Sequence, residues 1–157
     1  MASRTGSAGR TGQNDGDQED DGGEGEGDPT HCARANDLMC RLSSAQVVVP
    51  VQVVGELFRV LHGKFRRPVA EVRSTITRWS DLHAVADSSW SALQAALDLA
   101  GEQGLQIWDA LILAVAAEQR CSLLLSEDLP HGTTWRGVTV VSPFAEPVHP
   151  RLAALLG

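Results

Sequence analysis

Three acidic side chains lie at the predicted ends of helices and strands, and they are the residues of this sequence best suited to do chemistry. They are Glu56, Asp109 and Asp128. No histidine or cysteine accompanies them at matching spacing, and oxygen ligands alone favour a hard cation such as Mg²⁺ or Mn²⁺. Such an ion lowers the pKa of bound water and neutralises charge that develops on a phosphodiester, so these acids indicate metal-dependent phosphodiester hydrolysis.

Each acid also has a purely structural interpretation. Glu56 precedes an arginine by three residues, which is typical of a helix-surface ion pair worth about 0.2–0.5 kcal/mol. Asp109 is the only acid in the segment Gly104–Ala114 and stands in the first turn of an apolar helix, where the helix dipole favours a carboxylate. Asp128 could form a turn, and Glu127 beside it is the competing candidate. Ser126 could orient a carboxylate or a metal-bound water, or simply end its strand.

Other polar residues near these acids are weaker candidates. Lys64, Arg66 and Arg67 could contact phosphates, although a solvated turn explains them equally well. His131 precedes a glycine and is expected to be a loop residue rather than a metal ligand.

The elements that must position the three acids alternate between helix and strand. The sequence predicts helices over 28–43, 51–62, 69–79 and 90–102, a further helix opened by 104–114, and strands over 47–49, 82–86, 121–126 and 137–141. Strands separated by helices favour a parallel α/β sheet with helices on both faces, and sites in such folds lie beyond the carboxyl ends of the strands. We therefore expect the three acids to converge on one rim of the sheet.

Apolar residues at helical spacing define the predicted core faces of these helices. The larger members of these faces are Trp108, Leu111, Ile112 and Val115, then Val53, Val54, Leu57, Phe58 and Leu61, then Trp90, Leu93 and Leu97. The strand over 121–126 is expected to be fully buried.

Composition divides the chain into a tail and a domain. Residues 1–27 contain no Val, Ile, Leu, Phe or Trp and are expected to be disordered, whereas 28–146 form the domain and 147–157 a second tail. Residues 1–28 hold eight of the 20 acids, so the net charge of −7 describes the tail, and the domain has no broad basic surface. The three cysteines include no CxxC pair, no apolar run is long enough to span a membrane, and the N-terminus does not resemble a signal peptide. We therefore expect a cytoplasmic protein.

Four segments resemble a known family. Val48–Leu61, Gly104–Ala114 and Leu123–Gly132, followed by Val138–Phe144, resemble the PIN domain, and more narrowly the VapC-type toxin ribonucleases of toxin–antitoxin modules. The resemblance covers about 28–144 and rests on the order of its motifs, which are specific together and weak singly.

The resemblance implies a three-layer α/β/α sandwich with a parallel sheet and Mg²⁺- or Mn²⁺-dependent cleavage of RNA. By position, Glu56, Asp109 and Asp128 match the family's catalytic acids and metal ligands, and Ser126 matches its Ser/Thr two residues before the last acid. The resemblance also implies a cognate antitoxin protein as partner and suggests a homodimer.

The chain departs from the family at its beginning. The family opens with a strand carrying Asp-x-Asn or Asp-x-Ser, whose aspartate is a principal metal ligand, and nothing upstream of Asp28 is apolar enough to form it. The strand's place is the middle of the sheet, where its loss would expose backbone N–H and C=O groups. A frameshift or a misassigned start would account for residues 1–27.

Three functions are therefore open. The first is a metal-dependent ribonuclease acting as a toxin and neutralised by an antitoxin. The second is a truncated or degenerate PIN domain without catalysis that acts only in protein binding, which the absent aspartate favours. The third is an α/β binding module in which the acids are incidental.

Overall fold

The computed structural model of the protein describes residues 29–42 and 47–157. In these ranges the α-helices are α1 (Pro29–Arg41), α2 (Val51–Arg59), α3 (Val69–Ser80), α4 (Trp90–Gln103), α5 (Ile107–Glu118) and α6 (Pro150–Leu156), and a π-helix over Val60–Lys64 continues α2. The strands are β1 (Val48–Pro50), β2 (Ala84–Ala86), β3 (Leu123–Leu125), β4 (Thr134–Trp135) and β5 (Val138–Val141). The predicted α/β fold class is confirmed. The predicted disordered tail and absent first strand fall on residues outside the described ranges and stay predictions.

The strands described here form two separate sheets. β1 pairs with β2 in parallel, with Val49 opposite Val85. β3 pairs with β5 in parallel, with Leu124 opposite Val140, and β4 joins the other edge of β5 in the antiparallel direction. Among the described strands, β1 and β3 therefore each have one neighbour and one open edge.

β4 is a short strand that the sequence analysis did not predict. Arg136 and Gly137 connect it to β5, and both have positive φ, at 44° and 86°. Two central residues with positive φ make a type I′ turn, whose twist matches that of the strands it joins. The glycine in this two-residue connection was the available signal, and the resulting sheet is mixed rather than purely parallel.

Helices cover both faces of the second sheet. Val138 and Val140 of β5 pack into the main core with α4 and α5, whereas Val141 packs with Leu38 of α1 and Leu152 of α6. Successive residues of a strand point to opposite faces, so β5 separates the two groups of helices. The predicted three-layer arrangement is thus present here, and α6, in the predicted C-terminal tail, is part of one outer layer.

The predicted core faces of α4 and α5 are wrong at their largest residues. Trp90, Leu97 and Trp108 are 68%, 53% and 65% exposed. The buried face of α4 is instead mostly alanine, with Ala92, Ala95, Ala96 and Leu99. Small side chains let α4 and α5 approach closely, because the interaxial distance of packed helices depends on the residues at the contact.

Burial was also overestimated at α2 and β3. None of the residues of α2 is fully buried, and the predicted core residues Val53 and Phe58 are exposed. β3, predicted to be fully buried, is only half-buried along its length. The open edge of β3 and the beginning of α2 border a common cavity, which explains both differences.

Candidate active site

A cavity of about 770 Å³ is lined by residues of both β1 and β3. Beyond the carboxyl end of β3 its lining includes Ser126, Glu127 and Asp128, together with Asp109 from α5. The structure therefore brings two of the three predicted acids, and the predicted serine, to one cavity at the end of a parallel strand. Glu127 lies along the same cavity and remains the competing candidate to Asp128.

Asp109 is positioned by the sharp connection between α4 and α5. Gly104 ends α4 in the left-handed conformation, with φ of 68°, and α5 begins three residues later without a side-chain cap. Asp109 is thus in the first turn of α5, as predicted, where unsatisfied backbone N–H groups and the helix dipole favour a carboxylate. Burial raises the pKa of Asp109 above its usual range, and the negative charge of Asp128 raises it further.

Asp128 is held by a turn built on Ser126. The Ser126 hydroxyl oxygen accepts hydrogen bonds from the backbone N–H groups of Asp128, at 3.2 Å, and Leu129, at 3.3 Å. The Ser126 N–H in turn donates to the carbonyl of Val141 in β5, at 3.1 Å. Leu129 is buried in the main core, which anchors the far side of the turn. Ser126 is therefore a positioning residue for the exposed Asp128 carboxylate.

Glu56 does not join the other two acids in this structure. Its side chain is 61% exposed on α2 and accepts a hydrogen bond from Arg59 Nε at 2.8 Å, the surface ion pair that was the alternative interpretation. It is also not among the residues that line the cavity. Within 29–42 and 47–157, no three His, Cys, Asp or Glu side chains are grouped so that they could hold a metal ion. The role of Glu56 as a ligand stays a prediction.

The weaker candidates have structural partners or lie apart from the cavity. His131 Nδ1 accepts a hydrogen bond from the Ser142 N–H at 2.9 Å, so this ring supports the chain after β5. Arg67 pairs with Glu71 at 3.4 Å. Lys64 and Arg66 are exposed and lie outside the cavity lining.

The carboxylates of Asp109 and Asp128 fit a divalent cation. Mg²⁺ is usually held in proteins by one or two carboxylates, keeps several waters, and takes further oxygens from a phosphate. The negative charge of Asp128 disfavours ionisation of Asp109, and a bound cation would offset this repulsion. Among the described residues the donor set is oxygen-only, which suits Mg²⁺ or Mn²⁺ rather than a softer metal.

Comparison with models of known protein families shows to which family the chain belongs. The family model for the PIN domain matches residues 26–129, more than half of the 157-residue chain. The chain belongs to the PIN domain family. PIN domains are a nuclease-type superfamily and generally use divalent metal ions. A search among curated proteins gives no match.

The PIN match ends at Leu129, so it includes every predicted site residue. β4, β5 and α6 lie beyond it, although they complete the core on both faces of the sheet. In the part of the chain that the structure describes, none of the helices has the length and apolar character needed to cross a bilayer.

Proposed function

We propose that this PIN domain is a metal-dependent ribonuclease that serves as the toxin of a toxin–antitoxin module. The observation that carries the proposal is the close approach of Asp109 and Asp128 on one cavity, with Ser126 holding the turn between β3 and Asp128. These residues come from α5 and from the loop after β3, so only the folded chain brings them together.

In the proposed reaction, a water oxygen bonds to phosphorus while the bond from phosphorus to one ribose oxygen breaks. The attacking water loses a proton to solvent, and the released ribose oxygen takes up a proton from solvent. Asp109 and Asp128 would hold Mg²⁺ or Mn²⁺, which when bound activates water and neutralises charge on the phosphate. The chain contributes a fixed carboxylate at the start of α5 and a second carboxylate on a turn anchored by Leu129. Glu56 becomes a third ligand only if it leaves its ion pair with Arg59.

The proposed partners are RNA, an antitoxin protein and a second copy of the chain. Exposed apolar residues supply surface for protein partners: Val51, Val53 and Phe58 on α2, and Trp90 and Leu97 on α4. Exposed apolar side chains are a feature of surfaces that bind other proteins. We assign α2 to the antitoxin because Val53 also lines the cavity that holds the two acids.

A second candidate is a PIN domain that binds proteins without catalysis. The observation that favours it is that, within the described residues, no three acids are grouped so that they could hold a metal ion. A site with two carboxylates has fewer fixed ligands for a metal ion than the family resemblance implies.

The test is cleavage of single-stranded RNA in the presence of Mn²⁺. We expect the wild type to cleave and Asp109→Asn to lose at least about 100-fold in rate, because removing a charged group that stabilises the transition state costs this much or more. Asp98→Asn, which changes an exposed acid on α4, is the matched control and should cleave like the wild type. Equal cleavage by all three proteins contradicts the proposal and indicates a contaminating nuclease.

A further inference from the structure

Positive charge is unevenly distributed along this domain. Residues 59–80 carry six of the chain's 13 Lys and Arg and only one of its 20 acids, whereas 81–157 carry three Lys or Arg and nine acids. The positive segment covers the end of α2, the π-helix that continues it, and α3. A surface with one sign of charge raises the local concentration of ligands of the opposite sign, so this segment attracts anions.

Two of the six cations are neutralised by neighbouring acids. Arg59 pairs with Glu56 at 2.8 Å, and Arg67 pairs with Glu71 at 3.4 Å. The other four are exposed and form no ion pair with any residue of 29–42 or 47–157: Lys64, Arg66, Arg73 and Arg78. An unpaired cation on the surface exchanges its counterion for a phosphate without breaking an ion pair of the protein.

Two of these unpaired arginines border a shallow depression of about 380 Å³ on α3. At about 100° per residue, the short side chains of Ala70, Ser74 and Thr77 form a stripe along the helix, with Arg73 on one side of it and Arg78 on the other. The two arginines are about 7.5 Å apart along the helix axis. Arginine matches the geometry of a phosphate, and hydroxyl groups donate to phosphate oxygens. The depression is therefore a groove with donors suited to a phosphate backbone.

The groove faces away from the core and adjoins the candidate active site. Val72, the buried residue of α3, lies on the opposite side of the helix from the stripe. Trp79 lies on the same side as Val72 and lines the cavity that holds Asp109 and Asp128. Arg78 precedes Trp79 and lies between the two sides, so the surface around Arg78 connects the groove to the cavity.

We propose that the outer face of α3 binds the phosphate backbone of single-stranded RNA, with Arg73 and Arg78 each contacting a phosphate. The inference rests on the proposed function, because the strand bound here is the RNA that is to be cleaved. Phosphate contacts fix the position of a strand without reading its sequence, so α3 holds the RNA beside the cavity. The stripe between the arginines has no large apolar side chain, whereas the core of a protein interface is rich in them.

The first experiment measures RNA binding without cleavage. A fluorescent single-stranded RNA of about 12 nucleotides is titrated in EDTA and followed by anisotropy. The site variant is Arg73→Gln/Arg78→Gln, and the matched control is Arg41→Gln/Arg136→Gln, which removes two exposed arginines outside 59–80. At about 50 mM salt we expect the site variant to bind about tenfold or more weakly and the control to bind like the wild type.

The salt dependence of binding shows whether the lost contacts are phosphate contacts. On a single strand each neutralised phosphate contributes about 0.7 to the slope of log affinity against log salt, so the loss of two should reduce the slope by about 1.4. The reduction should be equal for oligo(A) and oligo(U), which share the same backbone. Arg73→Lys/Arg78→Lys keeps both charges and should keep the slope. A purely structural role of the arginines would not produce this pattern.

Arginine modification locates the bound RNA without any substitution. Phenylglyoxal modifies exposed arginines, and mass spectrometry separates the sites. Bound RNA should slow modification of Arg73 and Arg78 and leave the rate at Arg41, which is exposed on α1, unchanged. Equal slowing at all three arginines would mean that the RNA has no preference for α3 and would overturn the proposal.

Failure of this inference and failure of the proposed function give different results. Asp109→Asn should lose cleavage but bind RNA in EDTA at least as tightly as the wild type, since a negative charge is removed. With Mn²⁺ the site variant should show a raised KM and an unchanged kcat, as expected for contacts that are equally strong in the ground and transition states. RNA that binds α3 and is not cleaved supports this inference and contradicts only the proposed function.

Two further results overturn the proposal. One is RNA binding in EDTA that is absent in the wild type, or equal in the site variant and the control. The other is binding of an oligo-glutamate of matched charge that is as tight as that of RNA and is weakened equally in the site variant. That result would assign the groove to an acidic protein segment, either of another protein or within residues 1–28 of this chain.

Discussion

Asp109 and Asp128 lie close enough for the charge of one carboxylate to raise the pKa of the other. Burial is the larger cause of the raised pKa at Asp109, and repulsion by Asp128 adds to it. Both causes disfavour the ionised form of Asp109 in the folded protein. A divalent cation between the two acids would remove the repulsion. The repulsion that lowers the stability of the metal-free fold therefore also favours binding of a metal ion.

Asp109→Asn should stabilise the metal-free protein at pH 7. Because the pKa of Asp109 in the folded state lies above its ordinary value of 3.8, the native state retains this proton more strongly, and ionisation costs stability as the pH rises past that value. We expect a gain of less than about 1 kcal/mol in the free energy of unfolding, partly offset by a weaker interaction with the helix dipole. Urea denaturation measures it.

The pH dependence of the stability gained by Asp109→Asn provides the control for this prediction. Below pH 3.8 the carboxyl is protonated in the folded and unfolded states, so the difference between Asp109→Asn and the wild type should disappear. A variant that is less stable than the wild type at pH 7 would show that the helix dipole outweighs burial and repulsion.

Ser126→Ala should loosen the turn that carries Asp128. Two hydrogen bonds from backbone N–H groups to the Ser126 oxygen are lost, at a cost of about 1 kcal/mol in the free energy of unfolding. Mn²⁺ affinity should fall with it, about tenfold, as for other residues that orient metal ligands. Ser126→Thr keeps the hydroxyl and should retain both properties. If Ser126→Ala loses stability but binds Mn²⁺ normally, the turn does not position Asp128.

Glu118→Gln should reduce the loss of folding stability that the protein shows as the pH falls into the acidic range. Hydrogen bonds from the hydroxyls of Ser91, at 2.6 Å, and Ser89, at 2.7 Å, lower the pKa of Glu118 and join the beginning of α4 to the end of α5. Its stabilisation is therefore present above pH 4.5 and is lost as the pH falls through the lowered pKa.

The contribution of the ionised Glu118 to folding stability is expected to be small. Because Glu118 is exposed, we expect less than about 1 kcal/mol in the free energy of unfolding at pH 7. Glu102→Gln changes an exposed acid of α4 and should leave the profile unchanged. Parallel pH profiles for the wild type and Glu118→Gln, measured by thermal denaturation, would contradict the prediction.

The sequence allowed the order of elements from α1 to β3, the strand β5 and the position of Asp109 to be predicted, because these depend on local patterns, whereas β4 and α6 were missed. Asp109 is the single acid in the first turn of an apolar helix that follows a glycine with positive φ, and Ser89 caps α4 by accepting from Ala92 N–H at 2.9 Å. Which face of a helix is buried depends on its neighbours. α5 is apolar on nearly every side, so periodicity could not show that Trp108 is exposed while the alanines pack.

The site was predicted in part for a similar reason. Asp109 begins a helix and Asp128 follows a strand. In an α/β pattern, residues at such positions lie near the carboxyl ends of the strands, so the sequence predicted that both acids lie at this end of the sheet. Glu56 lies on α2, whose distance from that end depends on how the two sheets are arranged. The cavity that separates β1 from β3 has no local sequence signal, and neither has the contribution of Leu152 and Leu155 to its lining.

Glu56→Gln distinguishes a metal ligand from a surface ion pair. The structure supports the ion pair with Arg59, so the variant should change the free energy of unfolding by no more than about 0.5 kcal/mol. We expect its Mn²⁺ affinity to remain within about threefold of the wild type, a difference below 1 kcal/mol. A loss as large as that of Asp109→Asn would show that Glu56 leaves Arg59 and joins the metal.

Calorimetric titration with Mn²⁺ tests most directly whether Asp109 and Asp128 form a metal site. The comparison uses the wild type, Asp109→Asn, Asp128→Asn and the control Asp98→Asn, all folded by circular dichroism. We predict that the wild type and Asp98→Asn bind Mn²⁺ equally and that each site variant loses at least about tenfold in affinity, or 1.4 kcal/mol. Equal Mn²⁺ affinity in all four proteins would contradict the assignment of these two carboxylates as metal ligands.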